Sequence, residues 1–199
     1  MTASLAVVVV QTSSAASSFV GLTGVWVPQL SLLLLSSVYV LLGKVDRSLL
    51  RPAGLGTAFK TAPAAVAAAF TSSLAVSLAF TPDRRYVELV VSLSPKNLEE
   101  LAAFVLLSFM LTAPAEEILF RGFIHVKLRN ALGQPTALIA SSTIFAVAHL
   151  DVYRLLPTLF IGLFTAYSLD KSKSLTPPII VHAVNNSAYY IYAYWAYHS

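Results

Sequence analysis

The sequence contains no cysteine. That excludes a disulfide framework, a thiolate metal site and a cysteine nucleophile. Charge is also scarce: Asp, Glu, Lys and Arg make up 11% of the 199 residues, where soluble domains carry roughly 25%. With 57% hydrophobic residues and a mean hydropathy of +0.74, a soluble fold of this length could not hide its apolar surface, so lipid must be part of the solvent. No linker, low-complexity tract or internal repeat is present, which points to one membrane domain over residues 1–199. The apolar N-terminus lacks a basic leading region and reads as a first span, not a cleaved signal. The final Ala196-Tyr197-His198-Ser199 is no lipidation signal.

What is present is a succession of apolar runs. A membrane-spanning helix needs about 17–25 such residues, and the sequence predicts an all-α bundle of about seven spans. They fall near 3–22, 25–42, 62–80, 98 to beyond 121, 135–150, 155–169 and 177–197. The first is rich in Ser and Thr, so whether it spans is left open. Pro135 and the pair Pro177-Pro178 stand where helices can begin, since proline lacks the N–H that a first turn leaves unused.

The net charge of +4 does not point to nucleic acid, because the basic residues are scattered through short loops. Lys44, Arg47, Arg51, Lys60, Arg121, Lys127, Arg129, Lys171 and Lys173 fall on one side of the expected bundle. Arg84, Arg85, Lys96 and Arg154 fall on the other. The more basic side is expected in the cytoplasm.

Against this background a few polar side chains are out of place. A charge at the centre of a span costs about 2.5–3.5 kcal/mol, yet Glu116, Glu117 and Arg121 lie on the fourth span and His149 and His182 on the fifth and seventh. Such residues mark candidate functional sites; the plainer reading is a buried ion pair with two satisfied core histidines. Glu117 and Arg121, four apart, share a helix face and can pair. Glu116 lies about 100° around the helix without that partner, and an unpaired carboxylate in a low-dielectric setting suits general acid–base work. Phe145 and His149 share a face, so the ring can wall the imidazole. His182 and Asn186 also share one, offering two neutral donors toward a single oxygen, as a tetrahedral oxyanion requires; Asn185 is an alternative to Asn186. His125 is expected at the cytoplasmic border, and His198 is terminal.

These residues resemble a known family. Glu116-Glu117-Ile118-Leu119-Phe120-Arg121 resembles the EExxxR motif of the CAAX prenyl protease and bacteriocin-processing (CPBP, or Abi) family. Phe145-Ala146-Val147-Ala148-His149 resembles its FxxxH motif, and His182-Ala183-Val184-Asn185-Asn186 its HxxxN motif. The likeness covers residues 98–190. It implies an intramembrane endopeptidase in which Glu116 and His149 activate water while His182 and Asn186 stabilise the oxyanion, with Glu117, Arg121 and Phe145 in support. It further implies a membrane-anchored protein or peptide substrate, prenylated or not, held in the bilayer. At about 1.5 Å per residue, His182 is expected roughly 8 Å in from Pro177, Glu116 about 16 Å from the border at Lys127 and His149 about 20 Å from Pro135. These depths place the site in the cytoplasmic half, with tilt or a kink at Pro114 to level them. Members are often described as metalloproteases. No HExxH is present, but Glu116, His149 and His182 could supply three zinc ligands with an open position. A non-catalytic scaffold or immunity protein on the same fold is the alternative, because a fold does not settle activity. A proton-coupled transporter is disfavoured by the lack of inverted repeats.

Overall fold

The computed structural model describes residues 21–198, and within them every regular element is helical. The expected first span therefore lies outside the described residues, apart from its last two. The helices are α1 (Gly21–Leu41), α2 (Leu55–Ala79), α3 (Arg84–Ser92), α4 (Leu98–Leu132), α5 (Gln134–Val147), α6 (Val152–Ser172) and α7 (Thr176–His198). A short 3-10 turn, Arg47–Leu50, joins α1 to α2. Pro135 and Pro177 occupy first turns as expected.

By length and apolarity, three of the described helices can cross a bilayer: α2, α4 and α6. This is fewer than the seven expected from the apolar runs. Helix α5 has 14 residues, about 21 Å at 1.5 Å per residue, against a hydrocarbon core of about 30 Å. The 23-residue α7 is long enough, but His182, Asn185, Asn186 and its tyrosines dilute its hydropathy. Helix α3 was not expected at all. Its nine residues, RRYVELVVS, are strongly two-faced and none is buried, which suits a helix lying at an interface.

Helix α6 is central and packs against α2, α5 and α7, while α4 is flanked by α1, α5 and α7. Small residues let these helices approach. Along α2, Ala58, Ala62, Ala65 and Ala69 form a buried stripe. At Gly162 of α6, a Cβ would sit 2.9 Å from Ser142 Cβ and 3.0 Å from Ser142 Cα on α5, so only glycine admits this contact. The loop before α2 and the turn before α7 meet at one end, where Leu175 N donates to Leu49 O and Ser174 Oγ to Arg51 O.

Helix α4 runs unbroken through Pro114, where the sequence suggests a kink. Widened π-helical turns at Ser108–Thr112 and Ile118–His125 bracket the short α-helical segment Ala113–Glu117. The first gives room at Met110, the residue four before Pro114, whose carbonyl the ring would otherwise strike. The glutamates thus stand between two local departures from regular α-helix.

Candidate active site

Glu116 and Glu117 are presented by the segment between these wide turns. The neighbouring α1 is tied to it by Ser36 Oγ, which donates to Ala115 O at 2.7 Å. Glu117 is wholly buried, as is Arg121 on the following turn. Their closest approach is Arg121 Nε to Glu117 Oε2 at 3.2 Å. These two atoms lack hydrogen-bond alignment, so the contact is mainly a charge pair. Arg121 Nη2 donates to Gly162 O at 3.2 Å, and its guanidinium lies 4.2 Å from the centre of the Phe145 ring. Arg121 is therefore a core residue. Counting it among loop charges was an error of the sequence reading, and the remaining eight basic residues still outnumber the four at the other end.

The other oxygen of Glu117 has a partner that the sequence did not suggest. Glu117 Oε1 lies 2.7 Å from His182 Nδ1. A carboxylate can only accept, so Nδ1–H donates. On α5, His149 Nδ1 lies 2.8 Å from Phe145 O, and a carbonyl likewise fixes the proton on Nδ1. Both rings thereby aim Nε2 at the same place. Each Nε2 stands 3.9 Å from Glu116 Oε2, and that oxygen is buried without a hydrogen-bond partner among the described residues. Phe145 packs edge-on against His149, His182 and Phe120, with centroids at 4.9, 5.6 and 5.0 Å. It walls both imidazoles, where the i, i+4 spacing suggested one.

This geometry changes the expected role of one group. A neutral His182 spends its only N–H on Glu117 and offers the cavity a lone pair; it donates there only as an imidazolium. Asn185 and Asn186 are both half-buried. Asn186 shares the His182 face, and so does Tyr190 one turn further on, a hydroxyl that the three motifs omit. The same i, i+4 step that linked His182 to Asn186 leads to Tyr190.

The sequence reading measured Glu116 from Lys127 and so left it out of level with His149. The helix in fact continues to Leu132. Counted from the α4–α5 turn, Glu116 lies about 24 Å in and His149 about 22 Å, so the two are level; on α7, His182 lies about 9 Å from Thr176. His125 is likewise not interfacial: it is wholly buried, 2.9 Å from Ser141 Oγ through Nδ1 and 3.2 Å from Asp170 Oδ2 through Nε2, with Arg129 Nη1 2.7 Å from Asp170 Oδ1. This second polar cluster locks the register of α4, α5 and α6.

For zinc, the donor types of Glu116, His149 and His182 are suitable, but their spacing is not. Bonds of about 2.0–2.1 Å would bring tetrahedral ligand atoms roughly 3.3 Å apart, short of the 3.9 Å separations here. Among the described residues no group of three His, Cys, Asp or Glu side chains is placed to hold a metal ion.

A buried carboxylate converging with two tautomer-fixed imidazoles inside a helical membrane bundle is a hydrolase-type arrangement. Residues 98–188, which carry all three motifs, match the family model described as type II CAAX prenyl endopeptidase Rce1-like, so this part of the chain is similar to that family of proteases. No curated protein and no solved structure gave a significant match.

Proposed function

We propose that this protein is an intramembrane endopeptidase of the glutamate type, in which Glu116 and His149 activate water against a peptide bond. The observation that carries this reading is the convergence of Glu116 Oε2 with Nε2 of His149 and of His182, 3.9 Å from each. Glu116 Oε2 and Nε2 of the neutral His149 both accept. A water molecule seated between them would give its protons to the two and point a lone pair outward, as a nucleophile must. Glu116 takes the proton as the oxygen attacks, and His149 Nε2 can hold or relay it to the leaving amine.

His182 serves as the imidazolium. Its charge then balances Glu116, Glu117 and Arg121 to zero net charge in a buried site, and its Nε2–H faces the cavity. Together with the Asn186 amide it would stabilise the oxyanion. Glu117 and Arg121 position His182, and Phe145 excludes water from the far side of both rings. No step requires a metal in this scheme.

The substrate suited to such a site is a membrane-anchored protein or peptide, with its anchor in the bilayer and a flexible stretch in the cavity; a prenyl group is one such anchor. The proposed topology has α1, α5 and α7 also crossing the bilayer. The test is mass spectrometry of lipidated peptides incubated with the purified protein in H2(18)O. One heavy oxygen should enter the new carboxyl group, and Glu116→Gln should form no product. A folded parent that cleaves no peptide would favour the scaffold reading.

A further inference from the structure

We propose that Arg154 receives the terminal carboxylate of the substrate and holds that end of the chain at the mouth of the cavity. This inference rests on the endopeptidase reading above. Arg154 stands in the first turn of α6, five residues after His149, and its side chain is exposed. Arg84, Arg121 and Arg129 are paired with Glu88, Glu117 and Asp170. The Arg154 guanidinium has no ion pair among the described residues.

The carboxylate nearest in sequence is already committed. Asp151 Oδ1 accepts from Tyr153 N at 2.9 Å and Arg154 N at 3.3 Å, and Oδ2 accepts from the Tyr86 hydroxyl at 2.8 Å. The Tyr86 and Tyr153 rings pack at 4.4 Å. Helix α3 is thus strapped to the α5–α6 loop, and the backbone that carries Arg154 is fixed. Arg154 follows His149 by five residues across the short α5–α6 loop, so its charge stands at the same end of α5 as His149. It is therefore a cation at the rim of the site with no acid of its own.

The chemical complement of such a cation is an anion, and the planar guanidinium fits a carboxylate by two parallel hydrogen bonds. Every peptide with a free C-terminus carries one carboxylate whatever its sequence. An anionic chain end that enters the cavity also meets the negative charges of Glu116 and Glu117. A positive charge at the entrance offsets that repulsion and draws the chain in with its leaving side toward Arg154.

The test reads binding with hydrolysis removed. The full chain carrying Glu116→Gln is placed in phosphatidylcholine nanodiscs, where no anionic headgroup competes. A fluorescent farnesylated peptide is then titrated as the free acid and as the C-terminal carboxamide, followed by anisotropy. The acid should bind about tenfold more tightly, the worth of one charge-assisted contact. Arg154→Gln and Arg154→Ala should each erase that difference and leave the carboxamide affinity unchanged; Arg154→Lys should restore part of it. Equal affinities in the parent would overturn the proposal. So would a loss common to both peptides, which would assign Arg154 to the rim's structure. Because Glu116 is absent throughout, a failure of the parent to hydrolyse peptides would strike the endopeptidase reading and leave this result standing.

Discussion

Glu117 and His182, sixty-five positions apart, share a hydrogen bond of 2.7 Å in the middle of the bundle. It makes Glu117 a partner of both Arg121 and His182, whereas Glu116 Oε2 is left facing Nε2 of His149 and of His182. Two adjacent glutamates thereby acquire unlike tasks.

Glu116→Gln should abolish peptide hydrolysis while the protein retains its thermal midpoint. Glu117→Gln should lower stability by about 3–5 kcal/mol, because Arg121 stays buried without its carboxylate, and should also release the His182 ring. Expression level, thermal unfolding in detergent and turnover, compared across the two variants, check this. Equal unfolding of both would reduce the pair to a structural element.

The two histidines should differ in what replaces them. His149→Asn should lose turnover without loss of fold, since its ring makes one hydrogen bond among the described residues, to a backbone carbonyl. His182→Asn should lose turnover and stability together, since Glu117 then keeps a buried oxygen unpaired. Measuring kcat alongside unfolding separates the two outcomes.

Chelation should leave activity intact. The purified enzyme, dialysed against EDTA and assayed on a lipidated peptide, is expected to keep its rate; a loss restored by added zinc would show that the three side chains close by some tenths of an ångström onto an ion.

Gly162→Ala should destabilise the protein by about 1–3 kcal/mol through overpacking, since the new Cβ meets Ser142 at 2.9 Å. The same glycine's carbonyl receives Arg121, so the variant should also slow hydrolysis. Gly56→Ala, where a Cβ meets nothing within 4 Å, is the matched control.

Cysteine labelling is simplified by a parent that has none. With α6 crossing the bilayer, Arg154→Cys and Lys173→Cys should react with an impermeant thiol reagent from opposite faces. Ala148→Cys, beside His149, should follow Arg154→Cys. If Ala148→Cys is reached from the Lys173 face, the cavity opens at the other end of the bundle.

The short-range part of the site was legible because helical spacing is arithmetic. Four-residue steps foretold the meetings of Glu117 with Arg121 and of Phe145 with His149. They could not foretell Glu117 with His182, which depends on how α4 and α7 pass each other. Lys127 misled because a lysine stem can lie along apolar surface with its head in water, so a charge does not have to end a helix. Helix α3 is not marked in the sequence because nine two-faced residues make no apolar run of spanning length. Arg154 was read as one more loop charge, since sequence does not say which cations lack an acid.

The widened turns on either side of Ala113–Glu117 have a consequence for how this segment can change. Each is one residue longer than the α-helical turn it replaces. That extra residue is slack in the count: deleting one residue there closes the wide turn to an α-helical one and leaves the helix beyond it in register. Deleting one residue from Ala113–Glu117, which has no such slack, would rotate the flanking helix by about 100° relative to the glutamates. A change of length is thus absorbed on either side of the glutamates but not among them.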